Sequence, residues 1–117
     1  WQAGYKFLRF EGEHPGGSAY RFHLGSTECT GTVGHITSCA RPNRPVIELR
    51  GFAPGKTVGV DLSAFMQGID LTVTSGDGVR GCMSGPDAAD CAAAFAAIGL
   101  DPQTGRPLTT QHVFSVL

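Results

Sequence analysis

The sequence predicts a mainly β domain, an antiparallel sandwich or open barrel with one short helix over about residues 87–98, stapled by disulfides. Three observations carry this reading. Short segments of alternating or wholly apolar character recur along the chain, separated by turn-forming residues. Glycine (17 residues) and proline (seven) are scattered, so they mark turns and not a low-complexity tract. Four cysteines fall into two pairs of similar spacing, C-x9-C and C-x8-C.

The elements follow in chain order. Residues 4–12, GYKFLRFEG, are aromatic and mostly apolar and read as a strand buried on both faces. EHPGGS (13–18) is a turn by composition. Ala19 to Gly25 alternates: Tyr20, Phe22 and Leu24 face one way, Arg21 and His23 the other. The separation of Gly12 and Ala19 suits an antiparallel hairpin with a loop of about six residues. Residues 27–39 read as loop, broken by Gly31 and Gly34, and RPNRP (41–45) as punctuation. Val46 to Phe52 alternates as a strand, APGK (53–56) turns, and 57–62 is another strand. Asp61 or Ser63 then caps one helical turn through Met66. Ile69 to Thr74 is a strand and SGDG (75–78) a turn.

DAADCAAAFAAIG (87–99) is the convincing helix. Asp87 is a good N-cap, alanine has the highest helix propensity, and Gly99 sits at the stop. Cys91, Phe95 and Ile98 share one face. After an extended connection, Gln111 to Leu117 forms the last strand.

A chain of 117 residues suits a single domain spanning 1–117. A domain of this size buries only ~65% of its unfolded surface, so cross-links help it. Four cysteines allow three connectivities. Local pairing, Cys29 with Cys39 and Cys82 with Cys91, is the simplest, each bridge contributing at most ~3 kcal/mol by loop entropy. The alternative is a zinc site, against which stands the lack of short C-x2-C or C-x4-C knuckles. Disulfides place the chain in the periplasm or outside the cell. Nine basic and ten acidic residues, without a basic patch or acidic run, argue against nucleic acid and anionic membranes. No apolar run of ~18 residues exists, hence no membrane span.

Residues able to carry chemistry are few. Of the four histidines, His23 lies mid-strand on a polar face, either a surface or hydrogen-bonded histidine or a metal ligand. His35 lies within the Cys29–Cys39 stretch, His14 in a turn, and His112 in register with Phe114 and Val116 as a core histidine. None has H-x-H or H-x3-H spacing, so a metal site must be assembled by folding. Met66 and Met83 read as packing residues, with Met83 a soft-ligand candidate. Trp1 is the sole tryptophan, a core residue or a redox-active or ligand-forming one. No nucleophile elbow, P-loop or dinucleotide fingerprint is present, and the aspartates sit at turns and caps. The reading is therefore not an enzyme.

Several uncommon strings occur in order over almost the whole chain: WQAGYKFLRF (1–10), FHLGSTEC (22–29), CARPNRP (39–45), GCMSGPDAADC (81–91) and FAAIGLD (95–101), then TGRP (104–107), Gln111 and Phe114. In these the chain resembles the metallo-mystery pair four-Cys motif family, the MbnP-like proteins of methanobactin gene clusters, related to the MopE and CorA copper proteins. The resemblance runs from a W-x-x-G-Y-K-F segment onward, so it implies the C-terminal half of a longer family protein with a further β-rich N-terminal half. It implies a periplasmic or secreted copper-binding protein whose partner is a MauG-like di-haem cytochrome c peroxidase. That partner oxidises a tryptophan to kynurenine, and related proteins bind copper through two histidines and the kynurenine. Carried onto this chain, Trp1 is the residue converted to kynurenine and His23, in FHLGS, the preferred histidine ligand. The second histidine falls in the other half. Cys29, Cys39, Cys82 and Cys91 match the four-Cys motif as structural disulfide residues. The alternative function is a stapled, metal-free β interaction module or a subunit of a larger complex. It would pair through the edge at 4–10 with its own N-terminal half or another chain.

Overall fold

The computed structural model describes residues 6–13, 15, 19–72, 80–85, 88 and 90–117. The described residues are mainly β, with three small sheets, two short helices and two disulfides. Their centre is β2 (Ala19–Gly25), whose Phe22, His23, Leu24 and Gly25 are all buried. β1 (Lys6–Glu13) pairs with it antiparallel, from Glu13 opposite Ala19 to Leu8 opposite Leu24, with a register slip before Lys6. The expected hairpin is thus present. β1 is not buried on both faces, however. It forms the outer strand of its sheet, and only Leu8 and Phe10 are half-buried.

On the other side of β2 lies β6 (Arg80–Cys82), paired in parallel through Tyr20–Arg80 and Phe22–Cys82. This departs from the all-antiparallel expectation. Parallel pairing requires a long crossover, which the chain between residues 25 and 80 supplies. Gly81 makes the approach possible. It has φ +122°, and a Cβ there would fall 1.9 Å from the Arg21 carbonyl oxygen.

The stretch expected as a loop is a hairpin, β3 (Thr27–Thr32) with β4 (His35–Arg41). Cys29 and Cys39 stand directly opposite each other in it and are bonded. Most of its side chains are exposed, so it has no apolar face to give a strand signal. Hydroxyls hold it instead: Thr30 Oγ1 lies 2.9 Å from both Thr37 Oγ1 and Ser38 Oγ. The register shifts at Gly31, where a Cβ would meet the His35 carbonyl at 2.3 Å.

Val46 to Phe52, expected as a strand, joins no ladder, although its burial alternates through Ile47 and Leu49. Residues 69–72 are likewise irregular, and 73–74 lie outside the described residues. β5 (Val58–Val60) and β7 (Phe114–Val116) are shorter than the expected strands and pair with each other. α1 (Leu62–Met66) is the expected single turn: the Asp61 carboxylate accepts from the Ala64 N–H at 2.9 Å.

α2 (Cys91–Ala97) starts later than expected. Asp87 lies outside the described residues. At the start of the helix the Asp90 carboxylate caps nothing and accepts from the Gly81 N–H at 3.0 Å, tying α2 to β6. The C-terminus behaves as read: Gly99 N–H bonds Ala96 O at 3.1 Å and Leu100 N–H bonds Phe95 O at 2.8 Å, the pattern of a left-handed glycine stop.

The core is continuous. Phe10 and Phe22 both meet Phe65 edge-on, at 4.8 and 4.9 Å. Phe95, Ile98, Leu100 and Val113 complete it, with Cys91, Phe95 and Ile98 on one buried helix face as expected. The Cys82–Cys91 bridge lies within this core, whereas Cys29 and Cys39 are half-buried on the hairpin.

The two bridges close loops of near-equal length, with sequence separations of 10 and 9, so loop entropy assigns each about 2.6 kcal/mol. Burial separates them. Cys82→Ser/Cys91→Ser should lose more stability than Cys29→Ser/Cys39→Ser, because it also leaves two hydroxyls in an apolar core. Urea unfolding of both double variants checks this, and equal losses would contradict it.

Candidate functional site

His23 is the sequence-predicted ligand that the structure describes. Its place is fixed first through the backbone. The Ser84 hydroxyl donates to the His23 carbonyl at 2.7 Å and accepts from the Gly25 N–H at 3.1 Å, bracketing Leu24. Asn43 Nδ2 donates to the Gly25 carbonyl at 2.8 Å. The end of β2 is therefore held by side chains from two distant segments.

The His23 side chain lies on the polar face, as alternation predicts, beside Arg9 and diagonally across from Glu11. It is nonetheless only 6% exposed. Nε2 bonds Glu11 Oε1, while Glu11 Oε2 takes the Arg9 guanidinium. Glu11 was not singled out from the sequence. The signal was available: with Gly12 and Ala19 closing a hairpin, Glu11 falls within one diagonal step of His23.

The arrangement has a definite electrostatic sense. The Arg9 guanidinium, and after it the His23 imidazole, hold the Glu11 carboxyl at about 2, well below its ordinary 4.5. An ionised carboxylate only accepts, so His23 Nε2 carries the proton of this bond. Nδ1 is buried. A carboxylate bonded to the distal nitrogen is the usual support of a metal-ligating histidine, because it fixes the tautomer and the ring plane. Glu11 supplies that kind of support to His23, with Nδ1 itself buried. It does not make a complete site. Among the described residues no group of three or more His, Cys, Asp and Glu side chains is placed to hold a metal ion.

The other candidates are not brought to His23. Trp1 and His14 lie outside the described residues. His35 is exposed at the start of β4, and His112 is exposed and not a core residue, since the last strand begins only at Phe114. Met83 is half-buried beside Cys82. Met66 lines an apolar cavity of about 280 Å³ with Phe10, Tyr20, Leu62, Phe65 and Leu71. Burial, with the Asp90 carboxylate adding to it, pushes the Tyr20 phenol up, which keeps it neutral.

The depressed Glu11 carboxyl sets a pH dependence. Its contribution to stability is fully present above the unfolded value of 4.5 and is lost as pH falls through about 2. Glu11→Gln should thus be less stable than wild type at neutral pH, with the difference closing between pH 4.5 and 2. Denaturant midpoints across that range test it. A difference that does not change with pH would show that the carboxylate charge is not involved.

No curated protein matches the chain. The MbnP family model matches residues 1–84. A solved structure, MbnP from Methylosinus trichosporium, superposes with a TM-score of 0.79 at 31% sequence identity. The match covers 99% of this chain and 47% of that one, so the chain spans about half the length of the relative. The family model and the superposed structure agree, and the chain belongs to the MbnP family.

Proposed function

We propose that this chain is the C-terminal part of a non-catalytic copper-binding protein of the periplasm or extracellular space, to which it contributes His23 as one ligand. The observation that carries the reading is the carboxylate-supported, buried imidazole in a member of the MbnP family. Two disulfides suit an oxidising compartment, and among the described residues no helix is long and apolar enough to cross a membrane. A single imidazole is a weak site, so the remaining donors come from outside the described residues. Trp1, oxidised to kynurenine by a MauG-like di-haem peroxidase partner, is one of them. Kynurenine offers an aromatic amine and a ketone where indole offers no lone pair suited to a metal. Chain length permits this: β1 enters the sheet at Lys6, opposite Gly25 and two residues beyond His23, and five further residues reach about 17 Å. A second histidine comes from the half of an MbnP-length protein that this chain does not span.

The residues here supply orientation more than chemistry. Glu11 fixes the ring of His23 from its Nε2 side, and Ser84 and Asn43 keep the strand that carries it from shifting.

Copper titration of protein from its native source tests the proposal. His23→Ala should weaken binding well beyond tenfold and Glu11→Gln by about tenfold, the usual effect of losing a ligand's support. Unchanged affinity in His23→Ala would remove His23 from the site. Intact-mass measurement should show Trp1 with one carbon lost and one oxygen gained. Unmodified Trp1 in native material would overturn the kynurenine assignment while leaving His23 to be judged by titration.

A further inference from the structure

The apolar cavity of about 280 Å³ lies between the β1–β2 hairpin, α1 and Leu71. Its fully buried lining is Tyr20 and Phe65, and half-buried Phe10, Met66 and Leu71 continue the hydrocarbon wall. Gly12 leaves it open. In the ladder Gly12 stands opposite Tyr20, so a side chain there would project to the same face as the Tyr20 ring. A Cβ built on Gly12 meets nothing within 4 Å.

One polar group sits in this lining without a partner. Tyr20 is 7% exposed, and its hydroxyl is buried with no hydrogen-bond partner among the described residues. Buried polar groups in native proteins are nearly always paired, so an orphaned one on a cavity wall points to a partner from outside the fold. Burial, and after it the Asp90 carboxylate, pushes the phenol up, so the hydroxyl keeps a hydrogen to donate. The charged residues of the lining are Glu11, Glu13 and Arg80, of both signs and none fully buried.

We propose that this cavity binds a small uncharged molecule with an apolar body and one carbonyl or ether oxygen that accepts from the Tyr20 hydroxyl. Size follows from volume: a cavity of about 150 Å³ takes benzene, so about 280 Å³ admits a fused two-ring body of roughly a dozen heavy atoms. Charge follows from the surroundings. An anion reaching Tyr20 would meet Asp90 behind it and Glu11 and Glu13 beside it, and a cation would find no carboxylate in the fully buried lining. An apolar pocket with a single placed donor is the usual form of a small-molecule site.

Titration of the protein in its full cellular length with three probes of one shape tests this. Acetylnaphthalene carries the acceptor, isopropenylnaphthalene lacks it, and naphthoate is charged. Methyl NMR signals of Leu62, Met66 and Leu71 report binding at the cavity. Acetylnaphthalene should shift them with a dissociation constant below about 1 mM. Naphthoate should bind at least about tenfold more weakly. Tyr20→Phe should weaken acetylnaphthalene by about fivefold and leave isopropenylnaphthalene unchanged. Gly12→Leu puts a side chain into the empty space and should abolish binding of all three. Both variants should hold or exceed the wild-type urea midpoint, one by removing an unpartnered hydroxyl and the other by filling a void, so lost binding is not lost fold. No binding by the wild type overturns the proposal, and this is the result if another part of the protein closes the cavity. Equal weakening of both neutral probes by Tyr20→Phe overturns the hydrogen bond. Naphthoate binding as tightly as acetylnaphthalene overturns the uncharged class, and binding retained in Gly12→Leu overturns the site.

Discussion

The polar clamp at the end of β2 is the constraint on which the rest depends. Asn43 is fully buried with φ +49°, a conformation that asparagine tolerates better than most residues. Its amide holds the Gly25 carbonyl and its own N–H holds Gly105 O at 3.0 Å. Ser84, also fully buried, bridges His23 and Gly25. Thr27 Oγ1 then donates to Ser84 O at 3.2 Å. These bonds join β2, the segment after β4, the segment after β6 and the loop after α2. Leaving any one buried group unsatisfied costs about 1–3 kcal/mol, so the segments are held in one arrangement. Arg41, buried beside them, reinforces it by donating to Pro102 O at 2.7 Å and to Gln103 O.

Around that clamp the two disulfides perform different work. Cys82–Cys91 joins β6 to α2 inside the core, where Phe95 and Ile98 pack and where Asp90 adds a second tie through Gly81. Cys29–Cys39 lies outside the core and clamps a hairpin that has almost no apolar contact. A small domain with a limited core gains from both, one by stiffening the centre and the other by keeping an exposed pair of strands in register.

The site follows from the same frame. β2 carries its aromatic residues to one face and His23 to the other, and β1 brings Arg9 and Glu11 across from it. The imidazole is buried and held by an ionised carboxylate at Nε2, which fixes the orientation of its ring.

Local chemistry determined much of this protein in advance. The β1–β2 hairpin, the capped turn at 61–66, the glycine stop at Gly99 and the apolar face of α2 follow from periodicity, capping and spacing, which act over a few residues, while the cysteine pairing was one of three that the sequence allowed. The outward face for His23 follows from periodicity too. The tertiary structure decided the rest, because the reasons are long-range. The β3–β4 hairpin has no apolar alternation and depends on hydroxyls meeting across strands. β6 runs parallel to β2 because a crossover of more than fifty residues brings Gly81 against Arg21. Val46 to Phe52 alternates like a strand but finds no ladder, since a strand needs a partner as well as a pattern. His23 is on the predicted face yet buried and bonded to Glu11, and burial is set by what packs over a strand, not by the strand's own sequence.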